Sequence, residues 1–196
     1  MTKRVFDVIT ALTGLIILAP VFGAIAVLIK LDSTGPVFFK GKRVGQYGKI
    51  FYMLKFRSMI SDAPQKGATI TCKDDPRVTR VGKVLRRTKL DELPSLVNVL
   101  KGEMSLVGPR PESPDWVERY TPQQQAVLTV KPGITGLAQI KYRNEEELLR
   151  TANLETEYPK IMNDKLSIDL NYVKNGSYLL DMRILLETAV ALFRRA

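Results

Sequence analysis

The sequence predicts an α+β fold that is mostly helical and has two parts: a re-entrant membrane helix hairpin over residues 1–31, and a domain over residues 32–196 that rests on the membrane. Three features point there. An uncharged, mostly apolar run from Val8 to Ile29, about 22 residues, is long enough to cross a bilayer. Two short segments behind it carry the alternation of a small β-hairpin. Most of the remainder repeats apolar residues at helical spacing, which suits amphipathic helices gathered at the membrane interface. The 196 residues are 45% hydrophobic and 26% charged, a composition able to bury a core.

The apolar run has Pro20 near its middle, between Gly14 and Gly23. A mid-helix proline removes a backbone hydrogen bond and crowds the preceding turn, so a bend is expected. Lys3 and Arg4 precede the run, and Lys30, Lys40, Lys42 and Arg43 follow it. Cations on both sides put both ends on the cytoplasmic face, which argues for a hairpin that enters one leaflet and returns. A straight span and a buried helix stay open as alternatives. A cleaved signal peptide fits less well, because the run exceeds the usual apolar core of such a signal.

Asp32-Ser33-Thr34-Gly35-Pro36 is a turn cluster, and strands are expected at Val37 to Phe39 and Ile50 to Ser58. On the second, Lys55 and Arg57 share one face while Leu54 and Phe56 share the other. Taken alone, the cations form a solvated face. Ser61 to Asp75 is polar and loop-like. Val78, Val81, Val84 and Leu85 then mark a helix that carries a basic run, Arg77, Arg80, Lys83, Arg86, Arg87 and Lys89.

The chain is organised around Asp91-Glu92, set ahead of Pro94, with Leu93, Leu96, Val97 and Leu100 at helical spacing until Gly102. Acids and a proline suit a helix start, and taken alone the pair is an ordinary cap. Neighbouring helix positions diverge by about 100°, so the two carboxylates cannot be copies of one group. Behind them, Arg110 is held between Pro109 and Pro111. Guanidinium forks and free helix N–H donors both match phosphate oxygens, so cations and carboxylates together suggest phosphate chemistry.

Farther on, a helix is expected over Ser113 to Glu118, where Trp116 and Tyr120 suit either an interface or a core. Turn chemistry comes next at Lys131-Pro132-Gly133 and Thr135-Gly136, then a strand over Leu137 to Lys141. Helices are expected at Glu145 to Leu154 and from Ser167, and a last one over Tyr178 to Arg195 suits either the membrane surface or the core. The formal charge of +10 without a histidine leaves nucleic acid, anionic lipid or phosphorylated substrates as partners. It also disfavours zinc, so any metal is a hard cation held by carboxylates. Cys72, the lone cysteine, excludes an internal disulfide and reads as structural.

Leu90-Asp91-Glu92-Leu93-Pro94, Asn98-Val99-Leu100-Lys101-Gly102 and Met104-Ser105-Leu106-Val107-Gly108-Pro109-Arg110-Pro111-Glu112 resemble the signature of the bacterial sugar transferases, the small monotopic phosphoglycosyl transferases that begin glycan assembly on a polyprenyl carrier. The match extends to Lys55-Phe56-Arg57-Ser58-Met59, Asp75-Pro76-Arg77-Val78-Thr79-Arg80 and Lys131-Pro132-Gly133-Ile134-Thr135-Gly136-Leu137. Two departures are Ser95, where many members have glutamine, and Ala19, where several have serine before Pro20.

The resemblance implies transfer of a sugar 1-phosphate from a UDP-sugar to polyprenyl phosphate, with release of UMP, at the cytoplasmic face of the inner membrane. It marks Asp91 as the nucleophile, and Lys55, Arg86, Arg110 and Asp169 as substrate contacts. Glu92 serves metal binding or proton transfer, with Asp91 and Glu92 holding Mg²⁺. Anionic lipids are expected as partners and nucleic acid is not; a homodimer is left open. A non-catalytic, basic, membrane-anchored binding module would explain the charge and the apolar run, but not two acids set into a basic surface.

Overall fold

The structure is a computed structural model that describes residues 2–63, 74–149 and 154–193. Cys72 and the terminal Arg194-Arg195 lie outside the described residues. The apolar run forms α1 (Thr2–Asp32), one helix that continues through Pro20. Among the described residues it is long and apolar enough to cross a membrane. Its outer side exposes Ile16, Ile17, Val27 and Leu31. A few positions turn inward, and they fall near both ends: Asp7 and Ala11 at one, Ile25 and Ile29 at the other.

Both ends are bonded to the same globular body. At the start, Arg4 donates to the carbonyls of Val99 and Leu100. Lys3 donates to Val107 O and Tyr172 Oη and pairs with Asp181. Asp7 accepts from Ser105 Oγ and the Leu106 N–H. At the far end, Asp32 accepts from the Val81 N–H. Arg57, expected on a solvated face, is buried there and donates to the Ser33 and Thr34 carbonyls.

Strands β1 (Phe38–Val44) and β2 (Ile50–Phe56) form the antiparallel hairpin, with Phe39 opposite Lys55 and Phe38 opposite Phe56. The basic run rides on α2 (Arg80–Thr88), capped by the Thr79 side chain. Lys89 then adopts a left-handed φ of 59°, which turns the chain sharply. Leu90–Ser95 winds as a tight 3₁₀ turn, and α3 (Leu96–Lys101) comes next, ending at Gly102 with φ 82° as a left-handed cap.

The chain returns through β3 (Ser105–Val107), which pairs in parallel with β4 (Gly133–Thr135). Between them lies α4 (Pro114–Val117). The two strands meet at Gly108 and Gly133, where side chains have no room: a Cβ on Gly133 would sit 2.1 Å from Gly108 N. Leu137–Lys141, expected as a strand, is helix α5 instead. A short apolar run is ambiguous on pattern alone, and here the strand pairing is spent on Gly133–Thr135, after which Leu-Ala-Gln-Ile-Lys follows its helical propensity.

The charged stretch after it is a short α6 (Glu145–Leu148). The long α7 (Leu154–Asn175) and α8 (Tyr178–Phe193) complete the chain. Among the described residues, three buried clusters hold the parts together. The central one joins Ala11 of α1, Phe51 and Met53 of β2, Val99 of α3 and Ile184 of α8. A second packs Tyr120 and Tyr158 with Val127 and Met162, which resolves Tyr120 as a core residue. A third sets Ile25 and Ile29 of α1 against Phe56 and Leu85.

Candidate functional site

A cleft of about 560 Å³ opens between the hairpin, the 3₁₀ turn and the Pro-Arg-Pro segment, and Lys55, Arg86, Asp91, Glu92 and Arg110 all line it. Five residues singled out across 56 positions of sequence therefore meet on one surface.

Each is delivered by local structure. Lys55 points into the cleft from β2, because strand alternation puts Phe56 on the opposite face. The free edge of β2 is closed by Asn98: its Oδ1 accepts from the Leu54 N–H at 2.9 Å, and its Nδ2 donates to Tyr52 O at 2.8 Å. This pins α3, and the carboxylates ahead of it, to the strand that carries Lys55. Arg110 leaves β3 after two crossed bonds, Gly108 N–H to Thr135 O and Gly133 N–H to Pro109 O, so its backbone is fixed before any ligand arrives.

The two acids differ in environment. Glu92 is locked: Lys55 Nζ donates to its Oε1 at 2.7 Å, and Arg110 Nη2 donates to the same oxygen at 2.9 Å. Burial would raise its carboxyl, but Arg110 and Lys55 outweigh it and hold the group well below the usual carboxylate range. Arg110 is in turn held more firmly protonated by Glu92. Asp91 is buried, and its Oδ1 has no hydrogen-bond partner among the described residues. Burial pushes its carboxyl up, with Glu92 adding to the rise while Lys55, Arg86 and Lys89 oppose it. One acid is thus held by two cations, and the other is a desolvated carboxyl with an oxygen uncommitted among the described residues.

Asp169 does not line this cleft. It is buried behind Arg110, in a small space shared with Glu112, Tyr120 and Lys165. Burial, then Glu112, push its carboxyl up to about 7, against the Arg110 backbone N–H, Lys165 and the Arg110 charge. It reaches the site through the Arg110 backbone.

The far wall holds residues that sequence reasoning did not single out for the site: Glu112, Glu145, Leu149, Tyr158 and Lys165, together with Trp116. Lys165 is buried and bonded to both oxygens of Glu145, at 2.7 and 2.8 Å. Glu112 stood inside the quoted motif and could have been suspected. Lys165 and Glu145 carry no local signal, because α6 and α7 meet only in the fold.

Comparison with known proteins points the same way. A family model described as "Bacterial sugar transferase" matches residues 1–195. The chain is 42% identical to exopolysaccharide production protein PSS of Rhizobium leguminosarum bv. phaseoli, over 96% of this chain and 94% of that protein. It is 43% identical to the UDP-glucose:undecaprenyl-phosphate glucose-1-phosphate transferase of Xanthomonas campestris pv. campestris, over 97% of this chain but 38% of that protein. It is 40% identical to the UDP-N-acetylgalactosamine-undecaprenyl-phosphate N-acetylgalactosaminephosphotransferase of Aeromonas hydrophila, over 95% of this chain and 42% of that protein. The chain thus spans about two fifths of the length of these two transferases.

Proposed function

Because the chain belongs to the bacterial sugar transferase family, we propose that it is a phosphoglycosyl transferase. It moves a sugar 1-phosphate from a UDP-sugar to polyprenyl phosphate, undecaprenyl phosphate in the relatives' names, and releases UMP. The observation that carries the mechanism is the buried Oδ1 of Asp91, unpartnered among the described residues, beside a Glu92 whose Oε1 is bonded by both Lys55 and Arg110.

In the first step an Asp91 oxygen attacks the sugar-bearing phosphorus. An O–P bond forms as the bond from that phosphorus to the bridging oxygen breaks, and UMP leaves with the electron pair. Lys55, Arg86 and Arg110 surround the diphosphate and offset its charge, with Arg110 presenting a planar fork. In the second step an oxygen of the polyprenyl phosphate attacks the same phosphorus. The Asp91–phosphorus bond breaks, the carboxylate is regenerated and the lipid diphosphosugar forms. Two half-reactions at one carboxylate let a soluble and a lipid substrate visit in turn.

Asp91 and Glu92 also fit Mg²⁺. Among the described residues no group of three metal-binding side chains occurs, so these two adjacent carboxylates would hold the ion and substrate oxygens would have to complete the oxygen donors that this hard cation takes. Glu92 Oε2 has capacity to spare, since Arg110 Nη1 reaches it only at 3.4 Å. When bound, the ion neutralises diphosphate charge that otherwise repels the attacking carboxylate.

The domain works against the membrane. A straight helix of 31 residues is about 46 Å long and, as a span, would hold its ends on opposite sides of the bilayer. Bonds from Lys3, Arg4 and Asp7 at one end and Asp32 at the other to the same body support a re-entrant course, turning near Pro20 with both ends cytoplasmic. The exposed Leu179, Leu186 and Val190 on α8 support an interfacial role for that helix.

The test is a panel of UDP-sugars assayed for UMP release with polyprenyl phosphate and Mg²⁺ present. At least one sugar supports lipid-dependent release; release with none of them overturns the assignment.

A further inference from the structure

From Phe38 to Arg57 the chain holds six cations and no acid. The hairpin in this stretch has two unlike faces. The inner one sends Phe51 and Met53 into the core and Lys55 into the cleft. The outer one, fixed by the pairing of Phe38 with Phe56, Lys40 with Leu54, Lys42 with Tyr52 and Val44 with Ile50, leaves Phe38, Ile50 and Tyr52 at 42%, 48% and 58% exposure beside the exposed Lys40 and Lys42. At the tip, Tyr47 is 71% exposed, in a left-handed turn with φ 56°. Large rings in the open around lysines are not what a water-facing two-stranded sheet requires.

The outer face is also the face that α1 touches. Phe56 stacks on Phe38 with centroids 5.4 Å apart, and meets Phe22 of α1 edge-on at 5.1 Å. Aromatic contact therefore runs from the apolar helix directly onto this face of the sheet. Rings flanked by long cationic side chains suit the headgroup layer, where the ring sits at the apolar boundary and the ammonium reaches phosphate.

We infer that the outer face of β1–β2 is a membrane-docking surface that takes anionic phospholipid headgroups on Lys40 and Lys42 and seats Phe38, Ile50 and Tyr52 at the lipid boundary. It rests on the proposed membrane placement of α1. The consequence is geometric: with the outer face on lipid, Lys55 on the other side of the same strand is held a sheet's thickness from the headgroups, at the cleft that a lipid phosphate must enter.

The test uses the full chain in nanodiscs containing phosphatidylglycerol. In a Cys72→Ser background, single nitroxide labels are placed by Tyr52→Cys, Ile17→Cys on α1, or Asn163→Cys on the exposed side of α7. Collision with oxygen is compared with collision with a water-soluble nickel chelate. The oxygen-to-nickel ratio at Tyr52 is expected to exceed that at Asn163 at least about threefold, and to fall when phosphatidylcholine replaces the anionic lipid or when Lys40→Gln and Lys42→Gln are added, while Ile17 stays immersed. A water-exposed Tyr52 beside an immersed Ile17 overturns the docking surface and leaves the anchoring of α1 intact. Water exposure at both overturns both. Dipolar broadening between labels at Tyr52 would give the face to a second copy of the chain and overturn the lipid assignment.

Discussion

Asp169→Asn should flatten the pH dependence of stability. Asp169 is buried with its carboxyl pushed up to about 7, first by burial and then by Glu112, whereas the unfolded chain has the ordinary value of 3.8. Between those values the folded state binds more protons than the unfolded one, so stability contributed by the protonated form is present at low pH and declines as pH rises toward 7. At 1.36 kcal/mol per unit, the fall from pH 5 to pH 7 is about 2–3 kcal/mol. Asparagine keeps the shape and an oxygen for the Arg110 N–H but does not ionise. The assay is thermal unfolding of both proteins in the same nanodiscs from pH 5 to pH 8.5. The variant should gain on the parent as pH rises, by roughly 4–12 °C in relative midpoint at the upper end. Parallel curves would refute the burial argument, and so would an advantage for the variant that grows toward low pH.

The same contacts carry further expected outcomes. Lys55→Met removes the partner of Glu92 at 2.7 Å and a cation that offsets the rise at Asp91; kcat/KM should fall roughly 10–100-fold, as for a lost charge-assisted bond, with retention of parental kcat/KM counting against the site. Removing divalent metal with EDTA should reduce UMP release to background, and Mg²⁺ should restore it; unchanged release rules out a metal role for Asp91 and Glu92. Lys3→Met takes the cation from the buried Asp181, which keeps only the Tyr172 Oη bond to its other oxygen, but Lys3 is partly exposed, so the expected loss is about 1–2 kcal/mol, or roughly 2–8 °C in unfolding midpoint. An unshifted midpoint would mean that the start of α1 is not latched to the domain.

More of the site than of the fold is legible in the sequence. Lys55, Arg86, Asp91, Glu92 and Arg110 could be picked out because their motifs are local, and the fold brings all five to one cleft. The hairpin was legible from alternation, and Gly102 as a helix stop from its position. The pairing of β3 with β4 was not, since it joins three-residue segments 28 positions apart with glycines at the crossing. Leu137–Lys141 was misread for lack of any cue to the register that Gly133–Thr135 had already taken. The roles of the two acids also needed coordinates: a sequence puts Asp91 and Glu92 side by side, and only the fold shows that Lys55 and Arg110 both turn to Glu92. Asp169 was found by resemblance, but its place behind Arg110 depends on how α7 packs.

The proposed reaction turns on whether Asp91 carries the sugar phosphate. The direct measurement is intact-mass and peptide-mapping spectrometry of the protein mixed with its UDP-sugar and Mg²⁺ and no polyprenyl phosphate. A mass gain of one sugar phosphate on the peptide containing Asp91 is predicted, lost when polyprenyl phosphate is added and absent in Asp91→Asn. A protein that turns over fully in the complete assay, yet never gains that mass at Asp91, would contradict it.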